Sequence, residues 1–103
     1  MARRETEWEK DRKLARYQRW INKKYPANRP AMLMGRCYHA TLDLCRSFPG
    51  ELTQVGGWVE LESQSGQTHR DHHYWCTVNS NPRLIIDPTA GQYHEYRIAV
   101  YVK

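Results

Sequence analysis

The order of patterns along the chain predicts an α+β fold, two helices followed by an antiparallel sheet. Apolar residues recur at helical spacing up to residue 48, and the remainder alternates as strands do. Pro, Gly and Asn clusters separate the segments. With 103 residues, 40% of them hydrophobic, the chain supports one core and reads as a single domain over 1–103.

Residues 1–25 read as a basic amphipathic helix. Thr6-Glu7-Trp8-Glu9 fits a capping box, with the Thr6 hydroxyl accepting from the Glu9 amide and Glu9 reaching back. Leu14, Tyr17 and Ile21, joined by Trp20, form an apolar stripe. Arg12, Arg16, Arg19 and Lys23 follow the same rhythm on another face. Pro26 stops the helix, and Asn28-Arg29-Pro30 reads as a loop. A second helix is expected from Cys37, after Gly35-Arg36. It has Cys37, Thr41, Leu44 and Phe48 on one face and His39, Asp43 and Arg46 on another, and Pro49-Gly50 ends it.

From residue 52 the texture changes. Residues 52–55 and 58–62 read as strands flanking Gly56-Gly57, a pair that predicts a bulge or tight bend. A polar connection around Gly66 leads to a strand over 72–78, and Asn79-Ser80-Asn81-Pro82 is a turn signal. Residues 83–87 form the next strand, stopped by Pro88. Residues 94–103 supply the last, with Tyr96, Ile98, Val100 and Val102 on one side.

The formal charge of +5 is unevenly spread. Residues 1–30 hold ten Lys or Arg against four acids, whereas 31–103 hold six against seven. Any electrostatic partner, nucleic acid or an acidic protein, therefore belongs to the face of Arg12, Arg16, Arg19 and Lys23. A noncatalytic binding protein using that face is the alternative to an enzyme, and a solvated helix has the same charge pattern. No apolar run approaches the roughly 20 residues of a bilayer span, so no membrane partner is expected. The charged start lacks a signal-peptide apolar stretch, and a cytoplasmic location is the expectation.

Three cysteines cannot all pair, and they read as free thiols. Cys45 and Cys76 suit packing, since cysteine is among the most buried residue types. Cys37 differs, because the first turn of a helix favours thiolate over thiol. His73 stands near one strand start and Asp87 at the next strand's end. A hairpin would set them on adjacent strands, with thiol, imidazole and carboxylate in the order of a nucleophilic triad.

These residues resemble a known family. Met34-Gly35-Arg36-Cys37-Tyr38 looks like the nucleophile motif of the transglutaminase-like branch of the papain-like cysteine peptidases. His73-Tyr74-Trp75 resembles its His-x-Trp, and Leu84-Ile85-Ile86-Asp87-Pro88-Thr89 its catalytic Asp segment, followed by the tail Ala90-Gly91-Gln92-Tyr93. The match spans residues 35–93. It implies a minimal papain-like catalytic core there, with Cys37 as nucleophile, His73 as base and Asp87 as orienting acid. The implied activity is acyl transfer at amide bonds of a peptide or protein substrate, as peptidase, amidase, glutamine deamidase or, less in keeping with so short a chain, transglutaminase. No cofactor is implied. A small bacterial or phage enzyme is the general impression.

Several assignments stay open at this level. The Cys37 amide would supply one oxyanion donor, with Gln54 or the Trp58 indole as candidates for another; Trp75 is a further cleft candidate. His72 competes with His73 as base, and a one-residue shift puts it on the opposite face. A zinc site from His69, His72, His73 and Cys76 is disfavoured, because a strand sends His72 and His73 apart. His39 and His94 read as surface residues, and Asp87 before Pro88 also fits a simple turn.

Overall fold

The computed structural model describes residues 5–103. Helix α1 (Glu7–Lys24), a single turn α2 (Pro30–Leu33) and helix α3 (Cys37–Ser47) precede the sheet. Strands β1 (Leu52–Ser63), β2 (Thr68–Val78), β3 (Asn81–Ile86) and β4 (Tyr96–Val102) form it, with a short 3-10 helix (Ala90–Tyr93) before the last strand. The strand order is β3-β2-β1-β4, antiparallel throughout. The fold is therefore α+β, as the sequence predicts.

Helix α1 starts where its cap is written. Thr6 is extended, and its hydroxyl accepts from the Glu9 amide at 3.1 Å. Glu7 and Glu9 lie in the first turn and Lys23 and Lys24 in the last, each sign matched to the helix dipole. Arg3 and Arg4 lie outside the described residues. The loop expected at 28–30 is instead the entry to α2, with Pro30 in its first turn, where a missing amide hydrogen costs nothing.

Alternation divides the sheet into two faces. Leu52, Cys76 and Val78 point toward the helices and join Tyr17, Ile21 and Leu44 in one buried cluster. Phe48 meets Tyr17 edge-on, with ring centroids 5.0 Å apart. Val59 and Leu61 point the other way and pack with Tyr93, Ile98 and Tyr101. The 3-10 helix thus lies on the face that the long helices leave bare, which side chains of β4 extend.

Three strand expectations are corrected. Gly56-Gly57 makes no bend: β1 runs unbroken through both, paired to Tyr74 and His73 of β2. The glycines are there for space. A Cβ on Gly56 would stand 2.9 Å from the Tyr74 ring, and one on Gly57 would collide with the Val102 carbonyl and the Trp75 ring. The irregularity falls instead between Glu60 and Leu61, where the register with β4 shifts. That shift breaks the simple alternation expected of the last strand: Tyr96 and Val100 are exposed, and Tyr101 turns inward. Finally, β3 already begins at Asn81 and includes Pro82, which an edge strand tolerates because its outward amide needs no partner.

The crowding at Gly57 sets a stability test. Gly57→Ala meets fixed backbone and a buried indole and should cost about 2 kcal/mol, within the usual range for overpacking. Gly56→Ala meets only the rim of one tyrosine ring and should cost less. Urea denaturation of the two variants, compared with the parent, checks the order.

Candidate active site

Strand alternation sends His73 to the face opposite α1 and α3, beside Trp75 two residues on. Its side chain is fully buried. The β2–β3 hairpin pairs Cys76 with Ile86, so the next residue of β3's chain, Asp87, arrives level with the indole and within reach of His73. The Nε2 of His73 and Oδ2 of Asp87 are 2.8 Å apart. Both groups are closed off from water, with side-chain exposures of 0% and 5%, so the pair interacts at much lower effective dielectric than a surface ion pair.

Further donors fix the carboxylate. The Tyr101 hydroxyl donates to Oδ2 at 2.9 Å, and the Thr89 amide donates to Oδ1 at 3.1 Å. The second of these is a turn bond of the kind that Asp87 before Pro88 suggests in the sequence. Asp87 therefore combines a turn-forming and an imidazole-orienting contact. Trp75 stacks on the His73 ring, at 6.3 Å between centroids and 25° between planes, and meets Tyr101 edge-on.

The other ring nitrogen, Nδ1, faces Tyr93 of the 3-10 helix, whose hydroxyl oxygen is 3.3 Å away. That hydroxyl also lies 2.8 Å from Oδ2 of Asp71, a β2 residue on the same face as His73. Burial, first, and then the Asp71 carboxylate push the Tyr93 phenol well above its ordinary pKa, with smaller contributions from negative charge at Cys37 and Asp87. Burial does the same to Tyr101, reinforced by Asp87. The ring nitrogens of His73 are thus engaged by Asp87 and Tyr93, and Cys37 is hydrogen-bonded to neither nitrogen.

Cys37 is the first residue of α3 and is half-buried. Arg36, which precedes it, provides no side-chain cap, so the first-turn amides are not claimed by a local side chain. The next residue, Tyr38, packs edge-on against Tyr74, with centroids 5.1 Å apart. Tyr74 and His73 are strand neighbours on opposite faces, so this contact sets the start of α3 against the face of β2 opposite His73.

The other predicted positions have different places. Gln54 gives its amide hydrogens to the Tyr38 carbonyl at 3.2 Å and the Thr41 hydroxyl at 2.8 Å. It ties β1 to the turn that carries Cys37 and has no hydrogen left for an oxyanion. Trp58 is exposed and meets His72 edge-on, on the helix-facing side of the sheet. Trp75 is a buried wall behind His73 rather than part of an open cleft. His72 is exposed and stands against Trp58 and Tyr74, away from Asp87. On β2, His72 and Cys76 face the helices while His69 and His73 face away, so those four side chains do not converge on one point. His39 and His94 are exposed.

All three cysteines are free. Cys76 is fully buried, its Sγ 3.6 Å from that of Cys45, and burial raises its thiol pKa strongly. On the basic helix, Arg16 is partly committed to the fold: it covers the Phe48 ring and pairs with Glu51 at 3.5 Å. Arg12 lies over Trp8, 4.7 Å from the ring centre, and Arg12, Arg19 and Lys23 are exposed. No described helix is long and apolar enough to cross a membrane.

Asp71, Tyr93 and Tyr101 are the site residues that sequence reasoning missed. Asp71 had a signal, since it lies two residues before His73 and so shares its strand face. Tyr93 sits in the tail motif after Asp87 but carries no role there, and Tyr101 depends on the β4 register shift, which no residue announces.

The raised phenols make stability pH-dependent at the alkaline end. Above about pH 10, an unfolded chain loses phenolic protons that buried Tyr17, Tyr93 and Tyr101 retain. Stability is therefore intact below that pH and falls as pH rises beyond it. Absorbance at 295 nm, followed with far-UV circular dichroism, should show these phenols ionising only as the fold is lost.

Compared with known proteins, the chain matches no family model, no curated protein and no solved structure.

Proposed function

We propose that the chain is a cysteine-nucleophile acyl-transfer enzyme acting on amide bonds, built on a minimal papain-like core of the transglutaminase-like kind. The observation that carries this reading is the buried His73–Asp87 pair, with the second ring nitrogen turned toward the Tyr93 hydroxyl. With Nε2 held by the carboxylate, Nδ1 is the nitrogen that would exchange a proton with a nucleophile, in place of its contact with the Tyr93 hydroxyl.

In this mechanism His73 takes the Cys37 Sγ proton, and the thiolate attacks the amide carbonyl carbon. The carbonyl oxygen becomes negative in the tetrahedral intermediate, where the Cys37 backbone amide at the start of α3 is the proposed donor. The C–N bond then breaks as His73 returns its proton to the departing amine, leaving a thioester on Cys37. Water, deprotonated by His73, attacks the thioester and releases a carboxylic acid and the free thiol. A peptidase, amidase or glutamine deamidase follows this course, and an amine in place of water makes the same site a transglutaminase.

The basic helix has a secondary place in this reading. Its exposed cations, Arg12, Arg19 and Lys23, form the face that an acidic substrate protein or a nucleic acid would meet.

Thiol reactivity tests the assignment. At pH 7, iodoacetamide should alkylate Cys37 well before Cys45 and the buried Cys76, as read by mass spectrometry of tryptic peptides. His73→Ala should slow labelling of Cys37 by about tenfold or more while leaving the other two unchanged. Equal labelling of all three, or no response to the histidine change, would remove the triad. A screen of peptide, glutamine and isopeptide substrates against the parent and Cys37→Ser then separates the possible reactions.

A further inference from the structure

Two thiols on the helix-facing side of the sheet touch each other and lie outside the proposed catalytic residues. Cys76 of β2 is fully buried, and its Sγ stands 3.6 Å from the Sγ of Cys45 on α3. The Cys76 thiol also donates to the Thr41 carbonyl at 3.6 Å, one helical turn before Cys45. Cys76 thus rests against a single turn of α3, with Cys45 at the end of that turn. Both cysteines are free. They join the apolar cluster beneath the helices, where Cys76 is a buried member and Cys45 packs against it from the margin.

Contact between two sulfurs is one step short of a bond. A disulfide holds its sulfurs about 2.0 Å apart, so the pair has to close by roughly 1.6 Å. Rotation of the Cys45 side chain supplies such a movement, because that residue is half-buried and less tightly enclosed than Cys76. The same asymmetry fixes the order of events. A small solute reaches Cys45 first. Burial, and then the neighbouring Cys45 sulfur, raise the pKa of the Cys76 thiol strongly, which makes it a poor first attacker. Cys76 is suited instead to the second step, in which nearness to a reacted Cys45 replaces acidity.

We propose that Cys45 and Cys76 are a redox pair that a peroxide closes into a disulfide between α3 and β2. The Cys45 sulfur attacks one peroxide oxygen, the O–O bond breaks, and Cys45 becomes a sulfenic acid as one water leaves. The Cys76 sulfur then attacks Cys45 Sγ. The S–S bond forms, the S–O bond breaks, and the departing hydroxide takes the Cys76 proton as a second water. Two thiols are oxidised by two electrons and one peroxide is reduced. In a reducing compartment such a pair stays open, so the bond belongs to conditions of oxidant load. It fastens the helix that begins at Cys37 to the strand that carries His73, three residues before Cys76. Cys37 takes no part, and the inference stands apart from the catalytic reading.

The test uses Cys37→Ser, in which the pair supplies all the thiol. The folded chain is treated with hydrogen peroxide, then denatured, alkylated with iodoacetamide and weighed intact. The expected product has lost two hydrogens and takes up no alkyl group, and its tryptic digest joins the Cys45 peptide to the Cys76 peptide. Dithiothreitol should restore two alkylatable thiols. The bond closes a loop between residues 31 apart in sequence, so the oxidised chain should melt about 10 °C or more above the reduced one. Cys76→Ala in the same background should leave Cys45 as a sulfenic or sulfinic acid with no internal cross-link.

Oxygen retained on Cys45 while Cys76 still alkylates overturns the inference. Cross-linking between chains instead of within one does the same, as does an internal bond that forms only in urea. Two thiols left unchanged by peroxide also overturn it. Where Cys76→Ala does not fold, the mass of the oxidised Cys37→Ser chain decides alone.

Discussion

A carboxylate and an imidazole share a site that water does not reach, and much of the sheet's second face is arranged around that fact. Removing charge from water costs several kcal/mol per ion even after relaxation, and a pair recovers this only with good geometry and extra hydrogen bonds. Asp87 has three such contacts, from His73, Tyr101 and the Thr89 amide. His73 has Asp87 on one side and Tyr93 on the other. Among the described residues, no buried side-chain nitrogen or oxygen lacks a partner. Pro88 and Thr89, directly after Asp87, are themselves fully buried, so the carboxylate is held by a rigid piece of chain.

The two faces of the sheet divide the work. The helix-facing cluster of Tyr17, Ile21, Leu44, Leu52, Cys76 and Val78 is almost wholly apolar and fills the space under α1 and α3. The opposite cluster is smaller, and its aromatic members have phenols that point into the polar network. Tyr93 and Tyr101 thus serve both packing and hydrogen bonding, which a chain of this length needs because it has little interior to divide. Gln54 fastens helix to sheet on the first of these faces. It extends from the central strand to the first turn of α3 and ties Cys37's helix to the sheet that carries His73.

What the sequence made legible follows from locality. The Thr6 cap, the start of α3 at Cys37 and the hairpin bringing Asp87 beside His73 depend on residues close in the chain, where a pattern of three or four positions decides the geometry. The coarse α+β order was readable for the same reason. Gly56-Gly57 misled because a glycine pair in a strand signals either a bend or a close approach, and the choice depends on Tyr74, Trp75 and Val102, which lie far along the chain. Gln54 is similar: its amide is a plausible oxyanion donor until the Tyr38 carbonyl and Thr41 hydroxyl are found to occupy it. The tyrosines around the histidine were hidden most deeply. Tyr101 owes its inward direction to one register shift, and a residue more or less at Glu60 would send it to the other side.

That dependence ties residues 87–101 to the polar cluster around His73. Residues 87–101 run from the end of β3, across the sheet's second face and along the far edge of β1, and they supply Asp87, Tyr93 and Tyr101 in turn. The histidine is carried by a central strand whose register is fixed along eleven paired positions, whereas its partners are carried by a six-residue edge strand, a short 3-10 helix and a strand with an irregular register. The histidine thus sits on the rigid element, and its polar partners sit on the adjustable ones. Loosening the last strand would leave the hairpin contact between His73 and Asp87 in place while withdrawing the Tyr101 donor from the carboxylate. The imidazole would keep its partner while the carboxylate lost one of its three hydrogen bonds, so the polar cluster around His73 is coupled to the docking of β4.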